Sequence, residues 1–300
     1  SPKGRPPNDE RMLLLTEPAA DAALTSPADP LTPRAAEADG AGPGPGPSRR
    51  DLVGGLEKGL LVIEAFDQDR SRLSIAEVAQ RAGLSRAAAR RYLLTLAHLG
   101  YVHQDGKGFA LSPRVLRLGQ SYMHSARLPR VLQPELQRLA ATMQEAASAG
   151  VLDDADVVSL AVATGGRVVS ATLQTGTRVP ACCTAIGRVL LAALPPAALD
   201  AWLDRQVATQ GLRAHTPRTL TDPELLRQEL ARVRSQGHAL VDQELELGLR
   251  TLGVPLRNHR GDVTAALNVS ALAARISLED LRERFLPILL DAQQRLRPLL

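Results

Sequence analysis

The segment from Ser74 to Gly100 constrains the fold more tightly than any other part of the chain. Ser74-Ile75-Ala76-Glu77 carries an N-cap serine with an acid three residues on, the capping box in which side chain and backbone satisfy each other at a helix start. The spacing predicts a helix through Arg81, ended by Gly83. Ser85 then caps a second helix, which Gly100 stops near residue 99. Two short helices joined this tightly form a helix-turn-helix. Ahead of them, from Gly55, residues Leu56, Leu60, Ile63 and Phe66 recur along one face of a supporting helix. Behind them, Tyr101-Val102-His103 and Phe109-Ala110-Leu111 flank the loop Gln104–Gly108, with Asp-Gly at its centre, which predicts a hairpin in the position of a wing.

On a helical wheel, Ala89, Tyr92, Leu93, Leu96 and Leu99 share one arc, and Arg86, Ala87, Arg90, Arg91 and Leu94 lie opposite. Ser85–Leu99 contains these three arginines and no acid. The bland interpretation is a solvated outer face. The alternative is a helix that enters the major groove, where arginine can bond guanine edges or phosphates and small residues permit close approach. The tight helix-turn-helix, the first helix and the following hairpin favour the second. Double-stranded DNA is therefore the expected partner, met by Ser85, Arg86, Ala87, Ala88, Arg90 and Arg91, with Lys107 at the wing tip near a phosphate. Residues 51–125 hold ten Lys/Arg against seven Asp/Glu, and the net charge of +4 permits such a partner without identifying it.

The rest of the chain divides by composition. Residues 1–50 hold ten of the 21 prolines and show no sustained period, so they read as a disordered Pro/Gly-rich tail in which Met12-Leu13-Leu14-Leu15 is a few apolar residues. Residues 51–111 form the winged helix-turn-helix, 112–127 a linker helix from Ser112-Pro113, and 128–300 a larger domain. The helical run beyond the linker extends to about Ala147, broken near Pro129 and Pro134. Strand-like runs fall at Val157–Ala163, Val168–Leu173, Ala239–Val241, Leu252–Leu256 and Val263–Val269. Helices fit Thr184–Ala193, Pro196–Arg205, Pro223–Gln236 and Leu278–Leu296. The order implies an α+β class, with one antiparallel sheet flanked by helices. No stretch approaches the roughly 20 apolar residues of a membrane span, and a cytoplasmic protein is expected. Cys182 and Cys183, the only cysteines, are adjacent, giving neither a metal-ligand spacing nor a disulfide framework, and no cofactor is expected.

Several separated blocks carry a resemblance. They are Gly55-Leu56-Glu57-Lys58-Gly59-Leu60, the helix-turn-helix from Ile75 to Leu96, Leu99–Val102, Pro180–Ala192, Val241–Arg250 and Ala265–Ser270. In this order and spacing they resemble the IclR family of bacterial transcriptional regulators over residues 52–298. Leu84–Tyr92 and Val241–Arg250 are most similar to its subgroup controlling aromatic-acid catabolism, the protocatechuate and 4-hydroxybenzoate regulators. The resemblance implies a winged-helix domain, a GAF-like effector-binding domain, a homodimer or tetramer on pseudo-palindromic operators, and a small organic acid as effector. The tail departs from the family pattern, so nothing is carried onto residues 1–50.

The resemblance also implies an effector site containing Thr184, Ala185, Ile186, Gly187, Asp242, Glu244, Thr251, Asn268 and Ser270. Physically, Thr184 begins a helix whose free N–H groups suit a carboxylate, and Ala185 and Gly187 are small enough for close approach. Thr184 as an ordinary cap and Gly187 as a packing glycine are equally open. Asn268 and Ser270 occupy alternate strand positions facing one way. Asp242 and Glu244 are as readily a solvated acidic loop, because an unpaired carboxylate repels an acid. Competing functions are a small-molecule enzyme or a thiol redox sensor on the larger domain, and an adaptor whose winged helix binds protein. No nucleophile motif, phosphate loop or zinc signature supports an enzyme, and the cysteines read as buried and inert. Trp202 reads as a helix anchor.

Overall fold

The computed structural model describes residues 48, 50–66, 70–165, 174–209 and 211–300. The expectations for the tail before Ser48 and for a strand at Val168–Leu173 lie outside the described residues. The amino-terminal part contains α1 (Gly54–Glu64), β1 (Arg72–Leu73), α2 (Ile75–Arg81), α3 (Arg86–His98), β2 (Val102–Asp105) and β3 (Gly108–Leu111). The caps form as the residues dictate. Ser74 Oγ accepts the Glu77 N–H at 3.3 Å while the Glu77 carboxylate accepts the Ser74 N–H at 2.8 Å. Ser85 Oγ accepts the Ala88 N–H at 3.2 Å and so starts α3.

The wing is tighter than the sequence implies. Asp105 pairs with Gly108, leaving a two-residue turn, Gly106-Lys107, with Gly106 at φ +61°. Such a turn needs a left-handed residue, which glycine supplies. β1 adds a third strand in the order β1-β3-β2, with Leu73 opposite Phe109. Val62, Leu73, Val78, Ala89, Leu93, Leu96, Val102 and Phe109 close the core.

Leu56 and Leu60 do not face this core; they are 65% and 45% exposed, and α1 buries Val62 instead. Leu99, at the C-cap of α3, is also exposed. In both cases the helical period is right, but the small core ends before the helix does.

A short 3-10 turn, Pro113–Val115, leads into α4 (Leu116–Ser125) and α5 (Arg127–Met143). Neither proline breaks α5. Pro129 lies in its first turn, where N–H groups have no intrahelical partner, and Pro134 frees only the carbonyl of Arg130, an exposed residue. The helix stops at Met143, Gln144 turns left-handed at φ +56°, and Ala146 begins a strand where more helix was expected.

That strand, β4 (Ala146–Asp153), opens the larger unit. It is followed by β5 (Asp156–Ala163), β6 (Arg178–Pro180), α6 (Ala185–Ala193), α7 (Pro196–Thr209), α8 (Pro223–Gln236), β7 (Ala239–Asp242), β8 (Leu249–Arg257) and β9 (Val263–Leu272). The chain ends in α9 (Leu278–Asp280), a π-helical turn Leu281–Phe285, and α10 (Leu286–Leu296). The sheet is antiparallel in the order β6-β5-β4-β9-β8-β7. One face, with Ala147, Leu252, Leu267 and Val269, packs on α5 and α10; the other, with Val157, Val241 and Ala266, packs on α6 and α8.

Helix α6 lies directly on the sheet. A Cβ at Gly253 would sit 2.8 Å from the Ala185 carbonyl carbon, and one at Gly187 would overlap the Ala181 backbone. Trp202 anchors α7, its indole N–H donating to the Asp154 carbonyl at 2.7 Å. Among the described residues no helix is long and apolar enough to cross a membrane.

Candidate functional site

Helix α3 presents one face to the core and leaves the other bare. Ser85, Arg86, Ala87, Arg90, Arg91 and Leu94 are exposed, and Ala88 is half-buried at the edge. Arg86, Arg90 and Arg91 make no ion pair among the described residues, so their positive charge is not neutralised internally. Lys107 is exposed at the wing turn. This is the second helix of a helix-turn-helix, the element that lies in the major groove with its N-terminal residues at the base edges.

In the larger unit the structure gathers a buried polar cluster on the α6 face of the sheet. Ser148 on β4 lies opposite Asn268 on β9, and Thr251 on β8 lies opposite Ser270. Asn268 Nδ2 donates to Ser270 Oγ at 3.0 Å. The Asn268 Oδ1 atom has no hydrogen-bond partner among the described residues, although the residue is only 5% exposed. An orphaned buried acceptor of this kind costs about 1–3 kcal/mol unless a donor reaches it.

Beside the cluster is the start of α6. Thr184 caps it, with Oγ1 accepting the Gly187 N–H at 3.2 Å and donating to the Pro180 carbonyl at 2.8 Å. The Ala185 N–H donates to Thr251 Oγ1 over a long 3.4 Å. Ile186 is buried above Gly150. Gly187 has its small volume used up by the Ala181 backbone, so its packing role is the one the structure displays. The sequence pattern does not point to Ser148, because the alanine-rich run Ala146–Gly150 carries no strand signal and extends the expected helix.

Asp242 and Glu244 do not converge with this cluster. Asp242 alternates with Val241 and lies with Leu240 toward the opposite face, where it accepts hydrogen bonds from Arg250 Nε at 2.6 Å and from Arg218. Partial burial works against its charge, but the bond from Arg250, a further one from Gln243 and the charges of Arg250 and Arg218 outweigh that and hold its carboxyl below the ordinary range. Glu244 is buried and accepts from Arg188 Nη2 at 2.7 Å and from the Leu220 N–H at 2.9 Å. Neither is the solvated loop acid that the sequence left open. Arg188 went unnoticed there, although a lone cation in the apolar run of α6 signals a buried partner.

Cys182 and Cys183 are free and buried. The hydrogen bond with Cys182, then burial, push the Cys183 thiol far up. Among the described residues no group of three His, Cys, Asp or Glu could hold a metal ion.

A winged helix-turn-helix with an unneutralised basic reading face, joined to a sheet domain with a buried polar cluster, defines a ligand-sensing DNA-binding regulator. Residues 55–106 match the IclR helix-turn-helix domain, and residues 120–297 match the C-terminal domain of the bacterial transcriptional regulator IclR. The chain belongs to the IclR family of bacterial transcriptional regulators. It is 44% identical to the Pca regulon regulatory protein of Pseudomonas putida over 81% of this chain and 83% of that protein. It is 39% identical to the p-hydroxybenzoate hydroxylase transcriptional activator of Acinetobacter baylyi over 83% and 92%. A double mutant of the PobR inducer-binding domain from Acinetobacter, solved with 3-hydroxybenzoic acid, is 33% identical at a TM-score of 0.54, covering 58% of this chain and all of that one. These relatives are regulators and not enzymes, so the enzyme alternative is set aside.

Proposed function

We propose that the chain is a cytoplasmic homodimer that reads a two-fold DNA operator of an aromatic-acid catabolic gene set and changes its grip when a hydroxybenzoate-like acid enters the larger domain. Arg86, Arg90 and Arg91 read the operator from α3, with Ser85, Ala87 and Ala88 at the close-approach end and Lys107 on a flanking phosphate. One such helix covers too few base pairs for selectivity, which is the physical case for a dimer. Leu56 and Leu60 on α1 and Leu116 and Leu118 on α4 are exposed apolar side chains suited to cover one another across its axis.

The unpartnered Asn268 Oδ1 carries the effector assignment. A ring hydroxyl can donate to it and to the Ser148 and Ser270 side, while the ring carboxylate turns to the N-terminal end of α6 near Thr184 and Ala185. The similarity to a Pca regulon regulatory protein, to a p-hydroxybenzoate hydroxylase transcriptional activator and to an inducer-binding domain solved with 3-hydroxybenzoic acid supports this ligand class.

Asn268→Leu conserves volume and removes the acceptor. Calorimetric titration of the full chain with 4-hydroxybenzoate and protocatechuate should show binding weakened about tenfold or more, with the thermal transition retained. Parental affinity for both acids in this variant would place the site elsewhere.

A further inference from the structure

A groove of about 510 Å³ opens at the β7 edge of the sheet, away from the Ser148–Asn268–Ser270 cluster. Its wall comes from four elements: Arg188 of α6, Arg218 of the loop before α8, Arg232 of α8 and Arg282 of the π-helical turn. Leu220, Leu240 and Leu278 form its apolar lining. Three carboxylates share the site. Glu244 is tied to Arg188 at 2.7 Å, Asp242 to Arg218 and Glu229 to Arg232 at 2.7 Å. Four guanidinium groups against three carboxylates leave one positive charge, and Arg282 is the one with no ion pair among the described residues.

Other features of the site point the same way. Arg218 and Arg232 are more than half exposed, so an incoming anion can engage them without unfolding anything. Arg282 sits in a π-helical turn, a rare widening of a helix that is frequent at functional sites. Just before β7, burial and then the charges of Arg232 and Arg282 hold the His238 imidazole below its ordinary range, against a bond to the Gln236 carbonyl. Planar guanidinium groups bind two-oxygen anions bidentately.

We infer that this groove is a second binding site, for a small organic dianion with a carboxylate or phosphate at each charged end and a short apolar middle. One end is taken by Arg282 and Arg232, the other by Arg218, and the middle rests on Leu240 and Leu278. Because Arg188 joins the groove to α6, occupancy there and at the polar cluster bears on the same helix.

The test uses the full chain and two probes, succinate and 3-phosphonopropionate, titrated by calorimetry at low ionic strength. At least one binds, its affinity falls with salt, and Arg282→Gln weakens it about tenfold or more while 4-hydroxybenzoate titrates as in the parent. Arg232→Gln, on α8 at the same end of the groove, gives the same loss. Which probe binds tells whether carboxylate or phosphate is the natural end group. Failure of both probes, or unchanged binding in Arg282→Gln and Arg232→Gln, overturns the assignment without touching the hydroxybenzoate site. Loss of 4-hydroxybenzoate binding in these variants overturns the separateness of the two sites.

Discussion

Arg86→Ala and Arg90→Ala each weaken binding to the DNA upstream of the chain's own gene by about 1–3 kcal/mol, and the double variant loses nearly the sum if the two contact separate base pairs. Both side chains are exposed on α3, whereas Ala89, Leu93 and Leu96 are the residues it buries, so their removal leaves the core intact. The two kinds of contact separate by salt. A lost phosphate contact lowers the slope of affinity against salt by about one and acts on every sequence, whereas a lost base contact relaxes selectivity at one position. Quantitative gel shifts at several salt concentrations distinguish them. Parental affinity and slope in the double variant would remove α3 from the reading role.

Glu244→Ala destabilises the larger domain by about 3–5 kcal/mol. The Arg188 guanidinium is 3% exposed, and without Glu244 its nearest carboxylate is Glu229 at 3.9 Å. The Leu220 N–H loses its acceptor as well, so the loop that Thr216 and Thr219 pin to the Gln243 and Glu244 carbonyls is loosened. The cost arises from stranding a buried charge rather than from the net worth of the pair. Accordingly, Arg188→Met combined with Glu244→Leu recovers most of the loss, because no charge is then left unpaired. Urea unfolding of the three proteins measures this. A Glu244→Ala change below about 1 kcal/mol would show that water reaches the pair.

Local chemistry was legible from the sequence where the signal is local. Ser74 with Glu77, Ser85, Gly83 and Gly100 fix the ends of α2 and α3 through bonds within a few residues, and α3 carries its basic face in its own periodicity. What depends on distant partners was not. Ala146-Ala147-Ser148-Ala149-Gly150 lacks β-branched residues, and it is a strand because β5 and β9 pair with it on both sides. Small residues serve there because helices cover both faces of the sheet.

The effector cluster was half visible for the same reason. Asn268 and Ser270 declare a shared face by alternation within β9, but Ser148 joins them only through cross-strand register. Asp242 and Glu244 sit two residues apart, yet one closes an arginine pair at the sheet edge and the other is drawn under α6 by Arg188. Leu56 and Leu60 show the converse limit. A helical period shows that a face is apolar, not whether the chain itself covers it.

The most direct measurement is a titration of the chain onto a labelled fragment of its upstream DNA, run with and without saturating 4-hydroxybenzoate or protocatechuate, with the mass of the complex read in parallel. The expected result is one specific complex holding two chains per half-site pair, with its affinity shifted at least about fivefold by one of the acids, the lower end of typical coupling between sites. A shift of that kind in the parent, lost in Asn268→Leu while the DNA affinity without acid persists, ties the polar cluster to the reading helix. Identical DNA affinity with and without either acid, although the acid binds, would contradict control by this ligand, since a ligand with equal affinity for both states shifts nothing.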